Sequence, residues 1–372
     1  MEAQTSATTF GTMIFTATLV DVGNSSTSTV EIHDVAGWAW SMVWSWNDLL
    51  QLLFAVVGIV GNLLVVLVLA GRNASKYSTD IFIGALAVAD FLTSVFMIPI
   101  PNAYWVPDTS LGSFYCKFVY RPSYPLWVFV FASAYILAGM SVERFVAVAY
   151  PLRRHQLITK RRVYIFLTCV GFFSLPASAH NLTVEVIDNK CKDTKTRTVK
   201  VKLSIYLFVA RVGIPVMIMA VTQILTALSL SRQYRELQTI LATKKADSPS
   251  AHLKARNTIV KMTAVIVIIF TLSLGPHNFT LMVTGLTGRI SDYLFSPLHY
   301  VFTFLAFINA SANPFIYAAR YPKFRTAIKD VFTKGLSKTT KLPLFDHGID
   351  HQYSNDTQTK NVTSVMDLSQ VP

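Results

Sequence analysis

Apolar residues fall into seven blocks along this chain, at about 49–70, 81–100, 127–150, 163–179, 203–230, 259–286 and 294–319, with short polar stretches between them. Each block is long enough to cross about 30 Å of hydrocarbon as a helix, so seven membrane-spanning helices are predicted. Nearly every block also carries one residue that lipid disfavours: Asn62, Asp90, Arg144, Pro176, Pro215, Pro276 and the pair Asn313-Pro314. A charge at the centre of a span costs about 2.5 to 3.5 kcal/mol on insertion scales, so ionisable residues kept there are functional candidates.

Composition agrees with lipid as the solvent, because 52% hydrophobic against 14% charged residues leaves too little polar surface for a water-soluble domain of this size. The net charge of +13 reads as a topology signal. The first 48 residues hold no Lys or Arg, which puts that end outside. The inner loops then gather Arg72 and Lys76, the run Arg153, Arg154, Lys160, Arg161 and Arg162, and the group from Arg232 to Arg256; Arg320, Lys323, Arg325 and Lys329 follow the last span. No basic stretch is interleaved with aromatic platforms in a soluble domain, so nucleic acid is not an expected partner. The outside loop between spans four and five breaks the rule. Lys190, Lys192, Lys195, Arg197, Lys200 and Lys202 stand there against Glu185, Asp188 and Asp193, either a merely solvated loop or a funnel for an acidic ligand.

The expected organisation is an all-α membrane protein with an outside N-terminal segment, 1–48, rich in Ser and Thr and disordered. A bundle over 49–319, an amphipathic cytoplasmic helix over 320–334 and a disordered tail over 335–372 follow. The segment lacks the basic start of a cleaved signal, so the first span is expected to insert uncleaved. Asn24 and Asn181 are glycosylation candidates on the outside, whereas Asn73, Asn355 and Asn361 fall inside. The tail's Ser and Thr residues are candidate phosphorylation sites. Of three cysteines, Cys116 and Cys191 face the oxidising side and are expected to pair, a loop closure worth about 4 to 5 kcal/mol. Cys169, within span four, is expected to be a buried apolar thiol.

Taken in order, the motifs resemble those of the rhodopsin-like, class A, G-protein-coupled receptors. They are Gly61-Asn62 with Val65, Leu86-Ala87-Val88-Ala89-Asp90, Gly112-Ser113-Phe114-Tyr115-Cys116, and Ser141-Val142-Glu143-Arg144-Phe145 with Pro151. Pro176, Pro215, Phe270 with Pro276, and Asn313-Pro314-Phe315-Ile316-Tyr317 complete the series. The likeness covers about residues 49–333 and leaves the subfamily open. It implies a seven-helix bundle with a short eighth helix at the plasma membrane, a heterotrimeric G protein as partner, arrestin as a partner of the phosphorylated tail, and no enzymatic activity.

The resemblance makes Glu143, Arg144, Asn313, Pro314 and Tyr317 the coupling switch. Adjacent opposite charges at the cytoplasmic end of span three can neutralise each other until a partner competes for the arginine. It implies a sodium ion held near Asp90, Ser133, Asn309 and Asn313. The alternative is a hydrogen-bonded cluster with no ion. No other cofactor is expected. Pro215, Pro276 and Pro314 remove backbone hydrogen bonds and, with Phe270, act as hinges.

Several positions depart from the family pattern. Leu274 stands where span six usually has tryptophan, Phe166 where span four has it, and Gln223 where span five has tyrosine. Arg256 stands where an acid often restrains the coupling arginine, which points to higher basal activity. Cys116 lies 28 residues before Arg144, about three more than the pattern, with Pro122 and Pro125 between them, so the start of span three is expected to be irregular.

Retinal would need a lysine in span seven, and 294–319 has none, so a photoreceptor is not expected. A cationic amine would need an aspartate in the outer half of span three, where the two registers offer Leu126 or Ser123. The polar residues left at pocket depth are Arg211, His277, Asn278, His299 and Tyr300, either ligand contacts or ordinary interhelical bonds. Arg211, without an acid in the outer half of any span, points to a small acidic ligand or a peptide. A ligand-independent receptor or scaffold is the main alternative. A transporter is remote because no halves repeat, and neither of two intramembrane-enzyme strings, His-Glu-x-x-His or Gly-x-Ser-x-Gly, occurs.

Overall fold

The computed structural model describes residues 15–20, 29–34, 38–41, 45–70, 78–100, 102–120, 124–244, 251–294, 296–320 and 322–334. Among the described residues, seven helices long and apolar enough to cross a membrane run Trp46–Ala70, Ser78–Phe96, Ser110–Ala149, Lys160–Thr183, Arg197–Glu236, Ala264–Thr287 and Pro297–Ala319. These are spans one to seven. The helices of spans five and six continue inward to Lys244 and outward from Ala251 respectively, so the cytoplasmic ends project beyond the apolar zone. Large apolar side chains such as Leu53, Val60, Phe172, Met217, Ile224 and Leu272 remain on the outer surface. In lipid that surface is already solvated, so interior packing rather than hydrophobic exclusion selects which faces meet.

Small residues set the closest approaches. A Cβ on Gly61 would come within 2.9 Å of Pro314, and one on Gly139 within 2.4 Å of the Phe166 ring. Spans one and seven, and spans three and four, therefore touch where those glycines stand. Phe166 also packs on Phe82, with ring centroids 5.9 Å apart, and so fills the position expected of a tryptophan.

Span three begins irregularly, as its sequence predicts. A helix over Ser110–Phe114 widens into a π turn over Tyr115–Val119, Tyr120 is extended, and regular helix resumes over Tyr124–Ala149. The widened turn absorbs part of the extra length between Cys116 and Arg144. Span five is interrupted in the same way. Pro215 has no N–H to give the carbonyl four residues back, and the helix answers with a π turn over Val209–Gly213, where the Ile214 N–H reaches the Val209 carbonyl.

The outside face departs from expectation. The N-terminal segment, read as disordered, supplies strands β1 (Phe15–Val20), β2 (Thr29–Asp34) and β3 (Ala39–Ser41). They form an antiparallel sheet with β4 (Asn102–Trp105) from the loop after span two, in chain order. Alternating β-branched and polar residues in β1 and β2 carry a strand pattern that a Ser/Thr-rich composition conceals. Trp38 packs edge-on against Tyr115 and anchors this sheet to the start of span three.

A hairpin of β5 (Val184–Ile187) and β6 (Lys190–Asp193) follows span four. Its two-residue turn puts Asp188 and Asn189 at positive φ, which these residue types tolerate best after glycine. Cys191 on β6 is bonded to Cys116, and the Val106 N–H donates to the Asn189 carbonyl. The hairpin is thereby fixed to the tops of spans two and three. Inside the cell, an eighth helix over Pro322–Lys334 buries Phe324 and Ala327.

Candidate functional site

Three groups of polar residues lie within the bundle. The first is at the cytoplasmic end of span three. Glu143 is fully buried, and its Oε2 lies 3.6 Å from Arg144 Nε. Its Oε1 accepts from Ser78 Oγ and Thr79 Oγ1, both at 3.0 Å, and from Arg154 Nη2 at 3.1 Å. Arg154 sits in the short helix Arg154–Leu157 of the loop after span three and is itself buried. Two guanidinium groups therefore share one carboxylate, and the second was not singled out by sequence. The only available signal was an arginine ten residues after Arg144, lost among other inner-loop basics. Arg256, whose acid counterpart the family often has, lies where side chains are outside the described residues.

Asp90 organises the second group. Ser133 Oγ donates to its Oδ1 and Asn313 Nδ2 to its Oδ2, each at 2.7 Å. Asn309 is buried on the same helix as Asn313, one turn away. Asn62 Nδ2 donates to the carbonyls of Gly58 and Ala310 at 2.9 Å and links span one to span seven. One carboxylate, one hydroxyl and two amides form an all-oxygen donor set suited to a hard monovalent cation. Among the described residues there is no cluster of three His, Cys, Asp or Glu side chains. Tyr317 of the same motif is buried and packs edge-on against Phe324 of the eighth helix, with centroids 6.2 Å apart.

The third group lies on the outer side of Pro215 and Pro276. Arg211 sits in the π turn of span five and is 2% exposed. Its guanidinium carbon lies 4.2 Å from the centroid of Trp127. The Trp127 ring stacks on His277, 6.2 Å away at 14°, and His277 lies 5.6 Å from His299. His277 Nδ1 and the Tyr293 hydroxyl are 3.1 Å apart. Burial pushes the Tyr293 phenol up to about 12. His299 continues to Tyr300, and Tyr300 to Trp46 of span one. Asn278 is buried, and its Nδ2 bonds the Leu274 carbonyl of its own helix.

Arg211, His277, His299 and Tyr300 are thus brought together, whereas the Asn278 amide nitrogen is spent locally. Trp127 and Tyr293 complete the group and were missed, because neither an aromatic residue in an apolar block nor one in a loop carries a signal of its own. Leu126 packs with Ala55 and Met97, a cluster that Trp127 also touches, and Ser123 lies outside the described residues.

Other expectations require correction. Asn181 is 8% exposed, and its Nδ2 donates to the Ser178 carbonyl in the folded chain. Asn24 lies outside the described residues. Cys169 is exposed, because span four is peripheral and turns this face to lipid. The Cys116–Cys191 pairing is present.

The sequence matches the family model for the seven-transmembrane receptor, rhodopsin family, over residues 61–317. It is 29% identical to galanin receptor 2b of Danio rerio over 297 residues, covering 77% of this chain and 74% of that one. It is 27% identical to the allatostatin-A receptor of Bombyx mori over 292 residues, 74% of this chain and 76% of that one. It is 25% identical to neuromedin-U receptor 2 of Mus musculus over 300 residues, 75% and 73% respectively. These relatives are receptors, not enzymes, and seven apolar helices make the protein a multi-pass plasma-membrane protein. With the motifs in their spans and more than half of its length matched, the chain belongs to the rhodopsin family of seven-transmembrane receptors.

Proposed function

We propose that this protein is a peptide receptor that activates a heterotrimeric G protein when an extracellular peptide binds the aromatic and basic group between spans three, five, six and seven. The observation that carries the coupling half is the buried Glu143 carboxylate shared by Arg144 and Arg154. Such a pair is held weakly enough for an incoming partner to take Arg144, because a second cation already satisfies the acid. The ligand half rests on relatives named for galanin, allatostatin-A and neuromedin-U, and those names favour a peptide over a free small acid. The basic hairpin above the bundle suits an acidic stretch of such a peptide. Arrestin belongs to the same proposal through the tail, which lies outside the described residues.

A sodium ion fits the second group. Asp90, Ser133, Asn309 and Asn313 would hold it, and it would supply charge that ties spans two, three and seven together.

Guanine-nucleotide exchange on purified G proteins, measured in membranes carrying this receptor with and without a peptide library, tests the reading. Exchange raised by the receptor supports it, and no exchange on any G-protein class with any peptide defeats it. A second reading, a receptor active without ligand, is favoured by Leu274 and Gln223 at the relay positions. High exchange with no added peptide and no further rise would select it.

A further inference from the structure

Arg211 is the largest side chain among the most completely buried ones. Neither its Nε nor its Nη2 has a hydrogen-bond acceptor. A buried cation in that state is expensive, and proteins rarely keep one unless something else supplies the missing charge.

No such charge comes from the chain as described. At the outer end of span one, Asp48 accepts from the Ser45 N–H and hydroxyl and is spent on the start of its own helix; besides it and Asp90, no Asp or Glu falls in the outer half of a span. The acids of the outside loop between spans four and five are also unsuited. Glu185 lies on the exposed side of its strand. Asp188 is held by Lys192, and Asp193 stands between Lys195 and Lys200. Asp90, the remaining interior acid on this side of the switch, has both oxygens occupied.

The surroundings also define what could reach Arg211. From its guanidinium, ring contacts run through Trp127, His277, His299 and Tyr300 to Trp46 at the outer end of span one. This is a continuous aromatic wall with a cation at its deep end. Trp127 covers one face of the guanidinium, which leaves the in-plane N–H groups for an acceptor, the geometry that suits a planar carboxylate.

We infer that Arg211 is an anion subsite and that the peptide ligand presents a carboxylate to it, with apolar or aromatic neighbours along the ring wall. The inference rests on the reading of the protein as a peptide receptor and names the chemistry at the deep end of that pocket. The carboxylate has two sources, the peptide's C-terminus or an Asp or Glu side chain.

The test is thermal unfolding of the purified full-length receptor in lipid nanodiscs, with three fragments. N-acetyl-phenylalanine carries a terminal carboxylate, N-acetyl-aspartyl-phenylalaninamide a side-chain carboxylate, and N-acetyl-phenylalaninamide none. At about 10 mM, at least one acid should raise Tm by about 3 °C, the amide should not, and Arg211→Gln should lose the response. Which acid acts identifies the source. Equal shifts by acid and amide, undiminished shifts on Arg211→Gln, or no shift with either acid would each overturn the inference.

The ligand-free comparison is independent. Arg211→Gln should unfold at the same or a higher temperature than the parent, since an unpaired charge is removed. A drop of several degrees would make Arg211 a structural donor instead. Neither measurement involves a G protein, so failure of coupling and failure of the anion subsite are separable.

Discussion

Glu143 has four donors or cations around it and only two oxygens, which makes each neighbour's loss readable. Arg144→Ala is expected to abolish nucleotide exchange at undiminished surface expression, measured by GTPγS binding alongside antibody labelling of the outside face. Arg154→Gln keeps a donor toward Glu143 while removing the competing charge, so Glu143 should hold Arg144 more tightly. Exchange without ligand should then fall about fivefold, corresponding to about 1 kcal/mol, and a rise would contradict the shared-carboxylate account. At the second group, Asp90→Asn should abolish any effect of sodium on ligand affinity, because the amide keeps the size and shape of the carboxylate without its charge. A sodium effect that survives the change would remove Asp90 from the ion site. Arg144, Asp90 and Asn313 were legible because a polar letter in an apolar block is an anomaly in one dimension. Arg154 and Trp127 were not, since a basic loop residue and an apolar-block aromatic acquire meaning only from their neighbours in three dimensions.

Helices in this protein are shaped by what interrupts them. The irregular start of span three could be read from a residue count between Cys116 and Arg144. The π turn of span five could not, because Pro215 is equally compatible with a simple kink, and only the Ile214 to Val209 bond distinguishes the two. That turn places Arg211 in the interior, so span five owes the position of this buried cation to its defect. Where helices approach closely, volume is the constraint. Gly139→Leu drives a branched side chain into Phe166 and should destabilise the bundle by about 1 to 3 kcal/mol, seen as a lower Tm in detergent. Pairing it with Phe166→Ala should restore part of the loss, and an additive loss would mean that the two do not touch.

Across the whole molecule, the seven-helix architecture was legible from apolar block lengths and from the placement of lysine and arginine. The outside cap was not, since strand pairing between residues 39–41 and 102–105 is a long-range choice that composition hides. Covalent closure holds that cap to the bundle. Cys116→Ser and Cys191→Ser should each lower surface delivery, and the double change should be no worse than either alone, as flow cytometry of unpermeabilised cells would register. Additive losses would mean that the two thiols act separately.

The order in which the ribosome delivers these parts bears on the same bond. Cys116 precedes Cys191 by 75 residues, so at about 5 to 20 residues per second it waits about 4 to 15 s for its partner. During that interval β3 and β4 are already synthesised and can pair, while the hairpin that will cover them does not yet exist. A lone thiol in an oxidising lumen invites a wrong bridge. This chain offers none within itself, because its remaining cysteine, Cys169, belongs to a membrane span. The delay in biosynthesis therefore carries no risk of internal mispairing, and the cap can wait for its last strand.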